Sequence, residues 1–228
     1  MRSIHDNLQA VQARIARAAA AAGRDPRSVT LLAVSKTHPA ALVAEALAAG
    51  QRAFGENYVQ EALDKMTSLV QLPIEWHLIG PLQSNKTRIV AQRFDWVHSV
   101  ESEKIARRLS DQRPPGMAPL NVLIQVNVSG EGTKSGVAAE QVFALAEKIN
   151  KMPRLRLRGL MAVPEPGAAV DRYRELKSLY EELKSEFRFD TLSVGMSDDM
   201  ETAIAQGSTM VRIGTAIFGA RQKIRPAA

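Results

Sequence analysis

Eight short apolar runs punctuate this sequence, at 31–35, 53–55, 75–79, 95–98, 121–128, 157–163, 191–194 and 209–213. Stretches with helical periodicity separate them, at 39–49, 57–69, 84–92, 102–112, 138–150, 168–186 and 198–206. Apolar runs this short, bounded by turn residues, predict strands buried on both faces. Strand and helix in alternation predict a parallel sheet joined by crossover helices. Eight such units in 228 residues predict an α/β fold, a single (β/α)8 TIM barrel, somewhat shorter than the ~250 residues typical of it. A doubly wound open sheet is the rival, and the count of eight favours the barrel.

One further helix is expected in front of the barrel, over 3–22. Ile4, Leu8, Val11, Ile15 and Ala19 recur every three or four residues, which puts them on one face, and Gly23 and Pro26 end the pattern. No low-complexity linker or composition shift divides the chain. Arg113-Pro114-Pro115-Gly116 reads as a helix–strand connection, because the alternation continues past it. Residues 1–228 are therefore expected to form one domain with an N-terminal helix and a short basic C-terminal tail (Arg221, Lys223, Arg225).

Composition narrows the chemistry. With no cysteine, disulfides, thiolate metal sites, iron–sulfur clusters and thiol nucleophiles are excluded. The four histidines lack metal-site spacing, so no metal is expected. The net charge of +6 favours anionic ligands. Aromatic residues make up only 5%, a poor stacking platform, and Arg154, Arg156 and Arg158 read as the solvated start of the sixth strand rather than a nucleic-acid patch. No run of ~18 uncharged apolar residues and no apolar leader segment is present, so a soluble cytoplasmic protein is expected. No large apolar surface stripe is evident, which predicts a monomer.

In such a barrel the active site lies at the C-terminal ends of the strands. Lys36 follows the first apolar run and shares side-chain parity with Leu32 and Val34. Desolvation there would lower its pKa and supply the free amine that an imine with an aldehyde requires. A lysine that only snorkels out of the barrel end fits the same position. Ser193-Val194-Gly195-Met196-Ser197-Asp198-Asp199 reads as a strand, a glycine turn and a helix start, with Ser197 as a candidate N-cap. Val211-Arg212-Ile213-Gly214-Thr215 is a strand ending in Gly-Thr. Gly195 and Gly214 would let backbone N–H groups approach an anion, after the two strands where barrels often bind phosphate. Ordinary turn chemistry uses the same residues. Arg212, inside an apolar strand, needs an acceptor: a carboxylate such as Glu56 or Glu165, or a ligand atom. Asn57, His77 and Asn127 are further polar residues at strand ends, and His77 also reads as a satisfied core histidine. Tyr173 and Tyr180 read as packing residues.

The segments Leu32–Thr37, Phe54–Glu61, Trp76–Lys86, Gln125–Val128, Lys134–Gly136, Arg158–Met161, Leu192–Asp199 and Arg212–Gly219 together resemble the pyridoxal phosphate homeostasis protein family, whose members bind pyridoxal 5'-phosphate (PLP). The resemblance runs in consistent order over residues 5–220. It implies a barrel like the N-terminal domain of alanine racemase (PLP fold type III), with PLP held as a Schiff base on Lys36. It also implies that Met196, Ser197, Gly214 and Thr215 surround the phosphate, that Arg212 meets the pyridine nitrogen, and that Asn57 and His77 lie near the ring. The implied role is PLP homeostasis with little or no turnover and no catalytic residues, with apo-PLP enzymes as possible acceptors. Two other classes fit parts of the pattern. A small fold-type III amino-acid racemase would need a second base, and a barrel acting on a phosphorylated metabolite would use Lys36 without PLP.

Overall fold

A computed structural model of the chain describes residues 3–129, 135–165 and 167–220. The basic tail at Arg221, Lys223 and Arg225, and Lys134 of the family motif, lie outside the described residues. Helix α1 (Ile4–Ala21) precedes β1 (Thr30–Val34), α2 (Ala40–Ala48), β2 (Ala53–Glu56), α3 (Val59–Ser68) and β3 (Glu75–Leu78). Then come α4 (Thr87–Arg93), β4 (Trp96–Val100), α5 (Glu103–Gln112), β5 (Leu120–Gln125), α6 (Val142–Asn150) and β6 (Leu155–Met161). The chain continues with α7 (Val170–Phe187), β7 (Thr191–Ser193), α8 (Met200–Ala205), β8 (Met210–Ile213) and α9 (Thr215–Phe218). The strands are parallel, each paired with its sequence neighbour, and β8 closes on β1 in the register Leu32↔Arg212. The fold is the expected eight-stranded TIM barrel.

Helix α1 begins at a capping box in which Ser3 Oγ accepts from Asp6 N–H and Asp6 accepts in return from Ser3 N–H. All five residues of its predicted face are buried. Its polar side is pinned as well: Asn7 donates to the Ile217 carbonyl, and Arg14 pairs with Glu201 at 2.8 Å. The N-terminal helix thus packs against α8 and α9, beside the seam where the barrel closes.

Most of the core lies between the strands and the helices. Inside the barrel there are two small apolar clusters. One holds Leu32, Ala53 and Met210 with Ile79 against them, and the other holds Trp96, Leu123 and Met161. The interior also holds His77, His98, Ser193 and Arg212, all buried.

The structure corrects several boundaries. The fifth strand ends at Gln125 rather than 128, because past it the backbone turns to a new partner: Val137 N–H donates to the Gln125 carbonyl, and Asn127 N–H donates to the Val137 carbonyl. The sixth spans Leu155–Met161 instead of 157–163. Its Arg158 is half-buried, paired with Asp190 at 2.7 Å and lying 4.7 Å over the Trp96 ring. The one-turn helix α9 was not expected. Among the described residues no helix is long and apolar enough to cross a membrane, and no group of three or more His, Asp or Glu could hold a metal ion.

Candidate functional site

Lys36 follows the C-terminal end of β1, half-buried. The backbone on both sides of it is gripped by one outward-facing cluster. Lys65, on α3, donates from Nζ to the Ser35 carbonyl at 2.7 Å, to Glu56 Oε1 at 2.6 Å and to Glu61 Oε1 at 2.7 Å. Ser35 Oγ donates to Glu56 Oε1 at 2.6 Å, and Thr37 N–H donates to Glu61 Oε1 at 2.5 Å. Burial pushes the Glu56 carboxyl up in pKa, and Lys65 and Ser35 oppose that shift. Thr37 has φ +65°, the left-handed region that a β-branched residue rarely enters. Such a residue costs of order 1–3 kcal/mol and persists only where its surroundings hold it, typically beside a functional group. Here Glu61 supplies that hold at the turn that presents Lys36.

Asn57 lies just past β2, and its buried Oδ1 has no hydrogen-bond partner. A buried amide oxygen left this way suits a position that a ligand completes.

The two glycine turns sit at the same mouth of the barrel. Gly195 has φ +103°, and a Cβ there would come 2.5 Å from the Ala203 Cβ. Met196 and Ser197 follow it. Ser197 is not the N-cap: α8 starts at Met200, with Asp199 in the capping position. The Asp199 carboxylate is drawn away from capping because it accepts from Met196 N–H at 2.6 Å and from the Tyr173 hydroxyl at 2.5 Å. Tyr173 is therefore more than a packing residue. Burial, then this hydrogen bond, raises its phenol pKa, so it stays protonated at neutral pH. Gly214 follows β8, where a Cβ would meet the Val34 carbonyl at 3.0 Å, and Thr215 opens α9. The first N–H groups of a helix have no partner within it, which suits an anion.

Arg212 is buried in β8. Its acceptors are carbonyls and a hydroxyl, not a carboxylate: Nη1 donates to Ser193 O at 2.8 Å and Ser193 Oγ at 2.9 Å, and Nη2 donates to Ala162 O at 2.9 Å. Glu56, one candidate acceptor in the sequence, faces Lys65 instead. Burial lowers the Arg212 pKa to about 10, which leaves it cationic at neutral pH.

His77 is wholly buried in β3. Its ring stacks on Trp96 with centroids 5.1 Å apart, Nδ1 lies 2.9 Å from His98 Nε2, and Nε2 lies 2.8 Å from Glu75 Oε1. Both nitrogens are engaged, as in the core-histidine reading. Burial lowers the pKa of His77, against the pull of Glu75, and holds that of His98 well below the ordinary 6.5. The sign of the consequence is fixed. The unfolded chain takes up protons on these rings near pH 6.5 and the folded chain does not, so the stability they confer is present above that pH and is lost as pH falls below it. Each ring contributes a slope of up to about 1.4 kcal/mol per pH unit. Denaturant unfolding between pH 7.5 and 5.5 should show stability falling with acid, and less steeply in His98→Gln. Equal slopes in the two proteins would count against this assignment.

Lys36, Asn57, Met196, Ser197, Gly214 and Thr215 thus follow the C-terminal ends of β1, β2, β7 and β8, around one barrel mouth. Arg212 lies one level below them and His77 lies within the barrel. The sequence reading missed Lys65 and Glu61, the Tyr173–Asp199 pair, and His98.

This barrel, with a lysine after β1, glycine turns after β7 and β8, and an arginine inside β8, defines a protein class. A sequence profile of the alanine racemase N-terminal domain matches residues 7–222. The chain belongs to that family and, within it, to the pyridoxal phosphate homeostasis proteins. It is 59% identical to the pyridoxal phosphate homeostasis protein of Pseudomonas aeruginosa, over the full length of both chains. Identity to the same-named protein of Escherichia coli K12 is 55%, covering 97% of this chain and 98% of that one. The PLP-bound structure of PipY from Synechococcus elongatus superposes with a TM-score of 0.82 at 35% identity, covering 95% of this chain and all of PipY. Alanine racemase from Corynebacterium glutamicum shares the fold, with a TM-score of 0.67 at 18% identity, over 95% of this chain and 62% of that enzyme.

Proposed function

We propose that this chain binds PLP as a Schiff base on Lys36 and serves PLP homeostasis in the cytoplasm, with little or no turnover. The whole chain, 1–228, acts as one PLP-binding domain and as a monomer. Apo-PLP enzymes are the acceptors that fit a carrier. The observation that carries this reading is the meeting of Lys36, on a clamped turn, with two glycine turns at the seam where β8 pairs with β1. The names of the full-length relatives and the PLP-bound PipY structure support the choice of cofactor.

In this reading Met196, Ser197, Gly214 and Thr215 hold the phosphate, and Asn57 turns its unpaired Oδ1 to the cofactor. His77 supports the ring's surroundings from inside the barrel. Bound PLP supplies a reactive aldehyde and a ring that can withdraw electrons from an attached amine. Arg212 would hold the pyridine nitrogen, and because a guanidinium only donates hydrogen bonds it would leave that nitrogen unprotonated. That arrangement would weaken the ring as an electron sink and favour holding over turnover. A racemase on this plan also needs a second base opposite the lysine. Tyr173 does not fill that role, being protonated and bound to Asp199. Tyr58 is 59% exposed on the rim.

The test adds PLP to the purified protein and follows its absorption, then supplies L-alanine and assays D-alanine. An imine band with no measurable racemisation is expected. Racemisation at the ~1 s⁻¹ or more of ordinary enzymes would replace the carrier reading with the racemase one. A protein that forms no band would overturn the cofactor assignment.

A further inference from the structure

Five polar side chains run across the barrel interior in one hydrogen-bonded line. Arg212 Nη1 meets Ser193 Oγ at 2.9 Å, and Ser193 Oγ lies 3.3 Å from His98 Nδ1. His98 Nε2 lies 2.9 Å from His77 Nδ1, and His77 Nε2 lies 2.8 Å from Glu75 Oε1. Arg212, Ser193, His98 and His77 are buried, whereas the Glu75 side chain is 49% exposed. Glu75 opens β3 at the opposite end of the barrel from Lys36, beside a cavity of about 400 Å³ that Gln51 and Arg52 also line.

The carboxylate end, with both rings neutral, fixes the direction of every bond. The Glu75 carboxylate can only accept, so a neutral His77 donates to it from Nε2 and accepts at Nδ1. Ser193 Oγ, which accepts from Arg212, gives its own proton to the remaining acceptor, His98 Nδ1. His98 therefore carries its proton on Nε2 and gives it to His77 Nδ1. His77 in turn carries its proton on Nε2 and gives it to the Glu75 carboxylate, which can only accept. Both rings are neutral, as their burial requires. A structural core would need only that each polar atom be satisfied. This line does more, because every proton position follows from the carboxylate at one end and ends on a hydroxyl that the guanidinium holds at the other.

We propose that Glu75, His77, His98 and Ser193 are positioning residues for Arg212, a one-way hydrogen-bond line that fixes the guanidinium and ties its setting to a carboxylate at the far face of the barrel. The part that concerns the cofactor rests on the reading that Arg212 faces the pyridine nitrogen. The order of the line rests on these residues alone. The charged groups flanking the line are Asp95 and Arg158, beside Glu75 and His77, and Asp199, beside Arg212. They stay in place in both variants below.

Glu75→Gln keeps an acceptor for His77 and removes the charge. Glu75→Leu removes both, at a half-exposed position that leaves the core intact. In cofactor-free, ¹⁵N-histidine-labelled protein, NMR should show His77 and His98 neutral with the proton on Nε2. Glu75→Leu should redistribute the His77 proton between its nitrogens, and Glu75→Gln should not. In the PLP-loaded protein, Glu75→Leu should shift the pH midpoint of the imine band and weaken PLP binding by roughly two- to tenfold, the lower part of what residues coupled in one network show. Glu75→Gln should fall between it and wild type. A proton on Nδ1 of either ring in the wild-type protein would overturn the ordered line. A loaded Glu75→Leu protein identical to wild type in midpoint and affinity would overturn the positioning role. A wild-type protein without an imine band would instead remove the cofactor reading and leave the line to be judged by the NMR result.

Discussion

Lys36→Ala is expected to abolish the imine absorption of the PLP-treated protein while leaving its fold unchanged. The expected effect is complete rather than partial, because a Schiff base needs an amine at that position and no neighbouring side chain can replace it. Lys65 reaches the neighbouring Ser35 carbonyl, but its three Nζ hydrogen bonds commit it to Ser35, Glu56 and Glu61. It is also 5% exposed and faces the helix layer rather than the barrel mouth. Removing the Lys36 side chain past Cβ leaves β1 intact, since the clamp grips the backbone of Ser35 and Thr37. Circular dichroism of the variant should therefore match wild type. Residual PLP held by the phosphate turns would absorb as the free aldehyde, not as the imine. A variant that keeps the imine band would move the cofactor lysine elsewhere.

Lys65→Met should give the largest loss of stability. The substitution is close in volume but leaves Glu56 fully buried without its cation and strips a donor from the Ser35 carbonyl. Breaking a buried ion pair from one side typically costs about 3–5 kcal/mol. Denaturant unfolding at pH 7 should show a loss of that size. The loss should shrink as pH falls, because burial already raises the Glu56 pKa and protonation relieves the stranded charge. The sign follows from linkage: a carboxyl with a raised folded pKa favours the folded state at low pH and loses that advantage as pH rises through the folded value. Glu56→Leu combined with Lys65→Met should recover part of the loss, since an apolar pair needs no desolvation of charge. The single variant should also weaken PLP binding, because the Thr37 turn loses its support when Glu61 is released. A cost below about 1 kcal/mol would mean that the cluster is not the clamp described here.

The barrel was legible because its signal is redundant. Eight apolar runs and the helical stretches between them each carry an independent period, and a slip of two residues at one boundary changes none of the others. Strand ends were less legible where a change of backbone partner, not hydrophobicity, ends the strand, as where Val126 and Asn127 turn to Val137. The positions at the barrel mouth could be named from sequence because the fold restricts where chemistry can lie and the glycine turns are visible there. The clamp was not found, although it leaves a trace. Lys65 falls between Ala62 and Met66 on the buried face of α3, and a cation in an apolar stripe implies a buried anion. Glu56, at a strand end, was that anion, but the pairing needs the three-dimensional distance. His98 was overlooked because a single histidine in a strand usually carries no more than packing. Its parity with Trp96 placed it inside the barrel, and only the fold shows that the interior there is lined by His77, Ser193 and Arg212.

The most direct test of the account is to load the protein with PLP, reduce it with borohydride and map the modified lysine by mass spectrometry. Reduction converts the imine to a stable secondary amine, so the label stays where the bond was. The account predicts near-stoichiometric label on Lys36 and none on Lys65 or Lys86. Label on another lysine, or scattered at low level over surface lysines with Lys36 unmodified, would contradict it.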